Sequence, residues 1–281
     1  MKKSTVLVVV LALAVGIAVG VFGPRIYQNY LQSHQPPAAV APEKLPVPPA
    51  PTAPAVRYPV PETAAPAPQP AQATAPPPLP LGPLPSLDQS DATIREVFNA
   101  LFPNQPVERL LVLDHFIQRF VLLIDSLPKP DLPASRLPTR PVAGHFLVEH
   151  SGQSLIISPD NARRYNPYVR LAETVDTQRL VTIYFHLYPL FQEAYRQMGY
   201  PAGYFNDRLI EVIDQLLATP KVNEPIRLVQ PGILYKFADP SLESLPAGQK
   251  ILLRMGTANA EIIEQKLQEI RRALIAHPPS N

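Results

Sequence analysis

The stretch TQRLVTIYFHLYPLFQEAYRQM, residues 177–198, decides the fold class. Leu180, Tyr184, Leu187, Tyr188, Phe191, Ala194, Tyr195 and Met198 recur every three or four positions, which is the spacing of one face of an α-helix, and Asp176 stands where an N-cap is needed. Pro189 lacks an amide hydrogen and its ring crowds the preceding turn, so it is expected to kink this helix or split it in two.

Outward from that stretch the helical spacing repeats. Ile94, Val97, Phe98, Leu101 and Phe102 follow it behind Ser90 and Asp91 as caps, and stop before Pro103. Residues 107–124 are apolar almost all round, yet Glu108, Arg109, Asp114, His115, Gln118 and Arg119 make a membrane span too costly. The expectation there is a buried central helix, ended by Asp125-Ser126-Leu127-Pro128. Asn206 is placed to cap a helix carrying Leu209, Val212, Ile213, Leu216 and Leu217 that ends at Pro220. A last helix, with Thr257 or Asn259 near its start, carries Ile263, Leu267, Ile270 and Leu274. Residues 145–150 and 153–158, joined around Ser151-Gly152, form a hairpin pattern, and residues 226–229 and 233–237 add strand-like segments around Pro231-Gly232. Two strands alone are marginal, so they must pack on helices. The fold class is mainly α (α+β): a helical domain with a small β-hairpin over residues 86–281.

Ahead of this domain the chain changes character. Residues 4–22 carry no charge, and at 1.5 Å rise per residue a helix of that length spans about 28 Å, enough for a bilayer's hydrocarbon core. The alternative is a cleaved signal peptide, whose apolar region is shorter and ends in an Ala-x-Ala-like site; Val21-Phe22-Gly23-Pro24 is a poor one. Lys2 and Lys3 precede the span and only Arg25 follows closely, so the positive-inside rule puts the N-terminus in the cytoplasm. In a Gram-negative cell this gives a single-pass inner-membrane protein: residues 1–3 a cytoplasmic tip, 4–23 the transmembrane helix, 24–35 a juxtamembrane segment, and the C-terminal domain periplasmic. The chain has no cysteine, which excludes a lipoprotein-type anchor, and a domain this long needs no disulfides.

Residues 36–85 hold 19 of the 38 prolines, too dense for helix or sheet, and form a Pro/Ala-rich disordered linker that favours polyproline II. Its upper reach is about 155 Å at 3.1 Å per residue. The reading is a spacer; the alternative is a docking tract for an SH3-like or WW-like domain, for which Glu43, Lys44, Arg57 and Glu62 are the charges that can set register.

Residues 86–281 carry 21 acidic and 20 basic side chains, a net charge of −1, with no basic stripe, which argues against nucleic-acid binding. Ser126-Leu127-Pro128-Lys129 matches Ser-x-x-Lys, but Pro128 and Pro130 prevent the helical turn that nucleophile motif needs, and no Lys-Thr-Gly occurs. Among the six histidines there is no His-Glu-x-x-His and no i, i+4 pair, so neither a metal nor a cofactor is expected. Asp207, Glu211 and Asp214 share one helix face, as carboxylates for acid–base work on glycans would, and as a solvated face would.

Several ordered motifs point to one family. They are Pro159-Asp160-Asn161-Ala162-Arg163-Arg164-Tyr165, Tyr188-Pro189-Leu190, Glu193-Ala194-Tyr195, Gly199-Tyr200-Pro201, Tyr204-Phe205-Asn206-Asp207-Arg208, Phe237-Ala238-Asp239-Pro240, Ala247-Gly248-Gln249-Lys250 and Arg254-Met255-Gly256. Together, over residues 84–274, the sequence resembles the proteobacterial domain-of-unknown-function family 3014, whose members pair an N-terminal membrane segment with a Pro/Ala-rich linker. The resemblance implies membrane association and carries over no activity or catalytic residue. Ser126 departs from the family's pattern, which looks more like Asp-Asn-Leu-Pro there.

Eight of the eleven tyrosines fall between Tyr165 and Tyr235, interleaved with arginines, the pairing that anchors protein interfaces. Tyr184, Tyr188 and Tyr195 belong to the helical stripe and read as core. Tyr200, Tyr204, Asn206, Asp207 and Arg208 sit in a Pro/Gly-punctuated turn entering a helix, where side chains can face a partner. Arg163, Arg164 and Tyr165, with Lys250 and Arg254, are either a carboxylate- or phosphate-binding group or an internal arginine network. The functional expectation is a non-enzymatic binding or scaffolding module for a protein or cell-wall partner; the alternative is a peptidoglycan hydrolase or transglycosylase using carboxylates such as Asp207 and Glu211.

Overall fold

The helical periodicity becomes a bundle whose seam is a run of aromatic rings. A computed structural model describes residues 55–60, 79, 81–103 and 105–276. Helix α1 (Ser90–Leu101) and helix α2 (Phe116–Ser126) bury Phe98 and Phe116 against each other, ring centroids 5.0 Å apart and edge to face. Strand β1 (Val148–Ser151) turns through Gly152, at φ +61°, into strand β2 (Ser154–Ile157). A 3₁₀ helix (Pro159–Tyr165) then leads through helix α3 (Asn166–Glu173) to the long helix α4 (Thr177–Gln197). Helix α5 (Phe205–Leu217), strand β3 (Arg227–Val229), strand β4 (Lys236–Phe237), the short helix α6 (Pro240–Glu243), helix α7 (Ala247–Arg254) and helix α8 (Thr257–Ile275) complete the chain.

Phe120 of α2 meets Phe191 of α4 edge to face at 5.5 Å, and Phe191 stacks on Phe205 of α5 at 5.7 Å. All three rings are fully buried. Aromatic pairs of this kind add to the area they hide, so α2, α4 and α5 are locked at one crossing. Helix α8 closes the bundle by burying Ile263, Leu267, Ile270 and Leu274 against α3, α4 and α5. The four strands form one antiparallel sheet in the order β1-β2-β3-β4, with Leu155 opposite Leu228 and Leu228 opposite Phe237. It covers a second, smaller apolar cluster of Ile226, Leu228, Phe237 and Leu253. The domain is therefore mostly helical with a small sheet.

Asp176 caps α4 as its position suggests, accepting from the amides of Gln178 at 2.7 Å and Arg179 at 2.9 Å. Four expectations are corrected. Ser90 and Asp91 do not cap α1: they lie inside it, the N-cap position is Gln89, and the Ser90 hydroxyl donates back to the Leu87 carbonyl. Residues 107–124 are not one helix: Val107–Arg109 is a 3₁₀ turn, and α2 begins only at Phe116, after His115 at φ +50°. The reason is that Val112 donates to the Pro138 carbonyl and Arg140 to that of Leu110, both at 2.8 Å, so this backbone pairs with a distant segment instead of with itself. Pro189 does not split α4, which is a single helix across it. Asn206 is not an N-cap; that place is Tyr204, and Asn206 lies inside the first turn of α5.

The apolar stretch 4–22 and most of the linker, with the membrane and topology expectations that rest on them, lie outside the described residues. Among the described residues no helix is long and apolar enough to cross a membrane. The described part of the linker differs from a uniform free spacer: Tyr58, Val60, Leu79 and Leu81 are half-buried against the main core.

Candidate functional site

The site is built where α4 hands over to α5. Tyr195, near the end of α4, stacks on Tyr200 with ring centroids 4.6 Å apart. The turn that returns the chain passes so close to this pair that a Cβ on Gly203 would lie 2.9 Å from Tyr195 Cε1. Only glycine fits there without displacing a ring. Gln192 fixes the turn from beneath. Its Nε2 donates to the Gly203 carbonyl at 2.7 Å, and its Oε1 accepts from the Phe205 amide and the Tyr188 hydroxyl, each at 2.8 Å. One side chain thus satisfies an orphan amide at the start of α5 and a loop carbonyl.

The first turn of α5 then presents Asn206 and Asp207, both buried. Tyr184 donates its hydroxyl to Asn206 Oδ1 at 3.1 Å, which turns the amide nitrogen outward. That nitrogen donates to the carbonyl of Tyr58 at 2.8 Å. Asp207 Oδ1 accepts the Tyr58 amide at 2.8 Å and Oδ2 the Arg57 amide at 3.0 Å. Two successive amides converging on one anion form a small backbone nest around the carboxylate, which requires a bent segment rather than a strand. One turn further along α5, Glu211 forms an ion pair with Arg57 and faces Arg208 at 3.5 Å. Arg208 also reaches Asp125, at 3.5 Å, and Tyr200 donates its hydroxyl to the same carboxylate at 3.0 Å. A second linker contact lies along α4, where His186 Nε2 donates to the Gly82 carbonyl at 2.9 Å.

The predicted site residues therefore separate into two groups. Tyr200, Tyr204, Asn206, Asp207 and Arg208 come together at this turn, with Asn206 and Asp207 holding the linker directly. Arg163, Arg164, Tyr165, Lys250 and Arg254 do not join them. Arg163 is exposed and pairs with its neighbour Asp160 at 3.1 Å. Arg164 spends its guanidinium on the carbonyls of Ala143 and Gly144 and on Asn161 Oδ1, at 3.1, 2.9 and 2.9 Å. Burial pushes the Tyr165 hydroxyl up, and it pushes the Arg254 guanidinium down as that group lies 5.0 Å over the Phe237 ring. Lys250 reaches the Glu243 carbonyl at 3.3 Å. Arg164, Tyr165 and Arg254 gather around Asn161, which also accepts the Leu147 amide and donates to the Arg254 carbonyl, whereas Arg163 and Lys250 stand apart from it with Asp160 and Glu243.

The carboxylates on α5 are each met by a cation or an amide: Asp207 and Glu211 by the linker, and Asp214 by Arg271. Among the described residues no three acidic or histidine side chains are grouped to hold a metal ion. Sequence reasoning missed Arg57 and Tyr58 as members of the site, although they are the only arginine and the only tyrosine in residues 36–85. It also missed Gln192 and Asp125, ordinary polar residues whose roles depend on the fold.

No curated protein and no solved structure matches the chain. Residues 116–271, more than half of its length, match the model of the family described as protein of unknown function (DUF3014), and the chain belongs to that family.

Proposed function

We propose that the chain is an inner-membrane-anchored envelope protein whose C-terminal domain is a non-enzymatic binding module, held away from the membrane by the Pro/Ala-rich spacer. The membrane reading rests on the uncharged residues 4–22 behind Lys2 and Lys3 and on the short basic imbalance around them. The binding reading rests on one observation: side chains at the start of α5 hold a separate piece of polypeptide through its backbone, with Asn206 and Asp207 making all three contacts. Preformed polar groups of this kind suit recognition of a peptide segment. They suit hydrolysis poorly, because a general acid or base needs a free lone pair or proton directed at substrate. The partner is a protein or cell-wall component of the periplasm.

The test is in-cell photo-crosslinking from position 204, at the rim of the site. The expected result is capture of a discrete periplasmic or outer-membrane component, lost on Glu211→Lys. Capture of nothing, or of species indifferent to that substitution, overturns the reading.

A further inference from the structure

The contact between the linker and α5 reads sequence as well as backbone. Arg57 and Tyr58 must both have amide hydrogens to surround the Asp207 carboxylate, which proline at either position would forbid. Residues 36–85 offer other pairs of adjacent amides, but only one of these pairs carries an arginine followed by a tyrosine. The Arg57 side chain turns to Glu211, while Tyr58 and Val60 are half-buried against the core and Val56 and Pro59 are exposed. The docked segment is therefore bent and reads arginine, aromatic, proline, aliphatic, of which the arginine, the aromatic and the aliphatic side chains meet the domain. The charge is complementary: a cation enters a face that carries Asp207 and Glu211.

This segment is covalently tied to the domain it occupies. Residues 61 to 78 join it to Leu79 and Leu81, which pack on the same core, and to Gly82, bonded to His186. A loop of that length costs little to close, and the effective concentration of a tethered segment reaches the millimolar range. Resting on the reading of the domain as a binding module, we infer that the Asn206–Asp207–Glu211 site is a receptor for an Arg–aromatic–Pro–aliphatic segment of another protein, and that residues 56–60 are its built-in competitor. A partner segment has to displace the chain's own copy. When it does, residues 55–78 are freed while Leu79, Leu81 and Gly82 stay on the domain, and the spacer lengthens from residues 36–54, about 60 Å at full extension, to residues 36–78, about 130 Å. Binding and reach are then coupled: occupancy by a partner lets the domain stand farther from its anchor.

The experiment uses the full chain in detergent micelles and a fluorescent peptide of residues 54–62, followed by fluorescence anisotropy. The wild-type chain, with its own segment in place, is expected to bind the peptide weakly. The double variant Arg57→Pro, Tyr58→Pro leaves the receptor intact and removes both amides that Asp207 accepts, so the competitor is lost and the peptide is expected to bind at least about 10-fold more tightly. Adding Glu211→Lys, an exposed change that spares the core, is expected to weaken peptide binding by about 3-fold to 10-fold, as is a peptide with glutamate in place of arginine. Equal binding to wild type and double variant, no binding to a folded double variant, or binding indifferent to Glu211→Lys overturns the inference. So does a wild-type chain that is dimeric where the double variant is monomeric, since the segment would then serve a second copy. The crosslinking experiment separates this inference from the reading beneath it. Capture that is identical in wild type and double variant leaves the binding module standing and removes the competitor. Peptide binding without any capture does the reverse.

Discussion

Two regions of this domain combine arginine with tyrosine, and they do opposite things with them. Around Asn161, the polar atoms are spent on the domain's own backbone: Leu147, Ala143, Gly144 and Arg254 are all fixed parts of the fold. Around Asp207, the same kinds of atoms are spent on residues 57 and 58, which reach the domain only through a long connection. The first arrangement can be lost only by unfolding. The second can open while the bundle stays closed, because the groups beneath it, Gln192 and Tyr184, are held from inside α4. Residue type did not distinguish the two regions; what distinguishes them is how their partners are connected to the rest of the chain.

The largest effect that should sharpen the comparison is alkaline unfolding, because both regions rest on buried tyrosines. Burial raises Tyr165 in one region and Tyr184, Tyr188 and Tyr195 beneath the other, with Tyr188 pushed up to about 12. A folded-state value above the unfolded one means stability that is fully present below about pH 10 and is lost as pH rises through about 12. Phenolate absorbance and circular dichroism should therefore change together in that window. Early ionisation of these tyrosines with the fold intact would contradict their burial.

Next in size, Asn161→Ala strands the Leu147 amide, the Arg254 carbonyl and part of the Arg164 guanidinium at a fully buried position. A loss of about 3 kcal/mol in urea unfolding is expected, since unmade buried hydrogen bonds cost about 1–3 kcal/mol each and the structure relaxes in part. Gly203→Ala should follow at about 2 kcal/mol, the usual cost of overpacking, because the new methyl meets the Tyr195 ring. It should also loosen the linker contact, which Asn161→Ala should leave in place until unfolding. If both variants release the linker equally, the two regions are not independent. The smallest effect belongs to Arg57→Ala. Its ion pair with Glu211 is exposed on both sides, so linker release should change by less than about threefold, and the difference should fade at high salt.

Much of the bundle was legible from sequence because its helices carry their signals locally. Asp176 caps α4, and the stripes in α1, α4, α5 and α8 are the faces that are buried. The failure at residues 107–124 has a physical origin. Leu111 and Leu113 are buried although their backbone is irregular, and burial alone leaves the same apolar signature as a helix interior. The hairpin was legible through Ser151-Gly152, whereas the pairing of β2 with β3 joins Leu155 to Leu228 across more than a third of the domain's sequence. The site was half legible. A Pro/Gly turn rich in polar residues marked Tyr200 to Arg208, but nothing local could pair Asp207 with Arg57, 150 residues away. The sequence held one clue to that pairing, a lone arginine–tyrosine step in a tract of proline and alanine, and composition concealed it by marking the whole tract as spacer.

The central claim is that the linker is docked at the start of α5, and amide hydrogen exchange at Arg57 and Tyr58 in the full chain tests it most directly. Both amides donate to Asp207, so exchange slower than in the unfolded chain by about 10-fold to 100-fold is expected, with protection lost in Asp207→Asn while that of α5 persists. Exchange at the unfolded rate in the wild-type chain, or protection untouched by Asp207→Asn, would contradict the account.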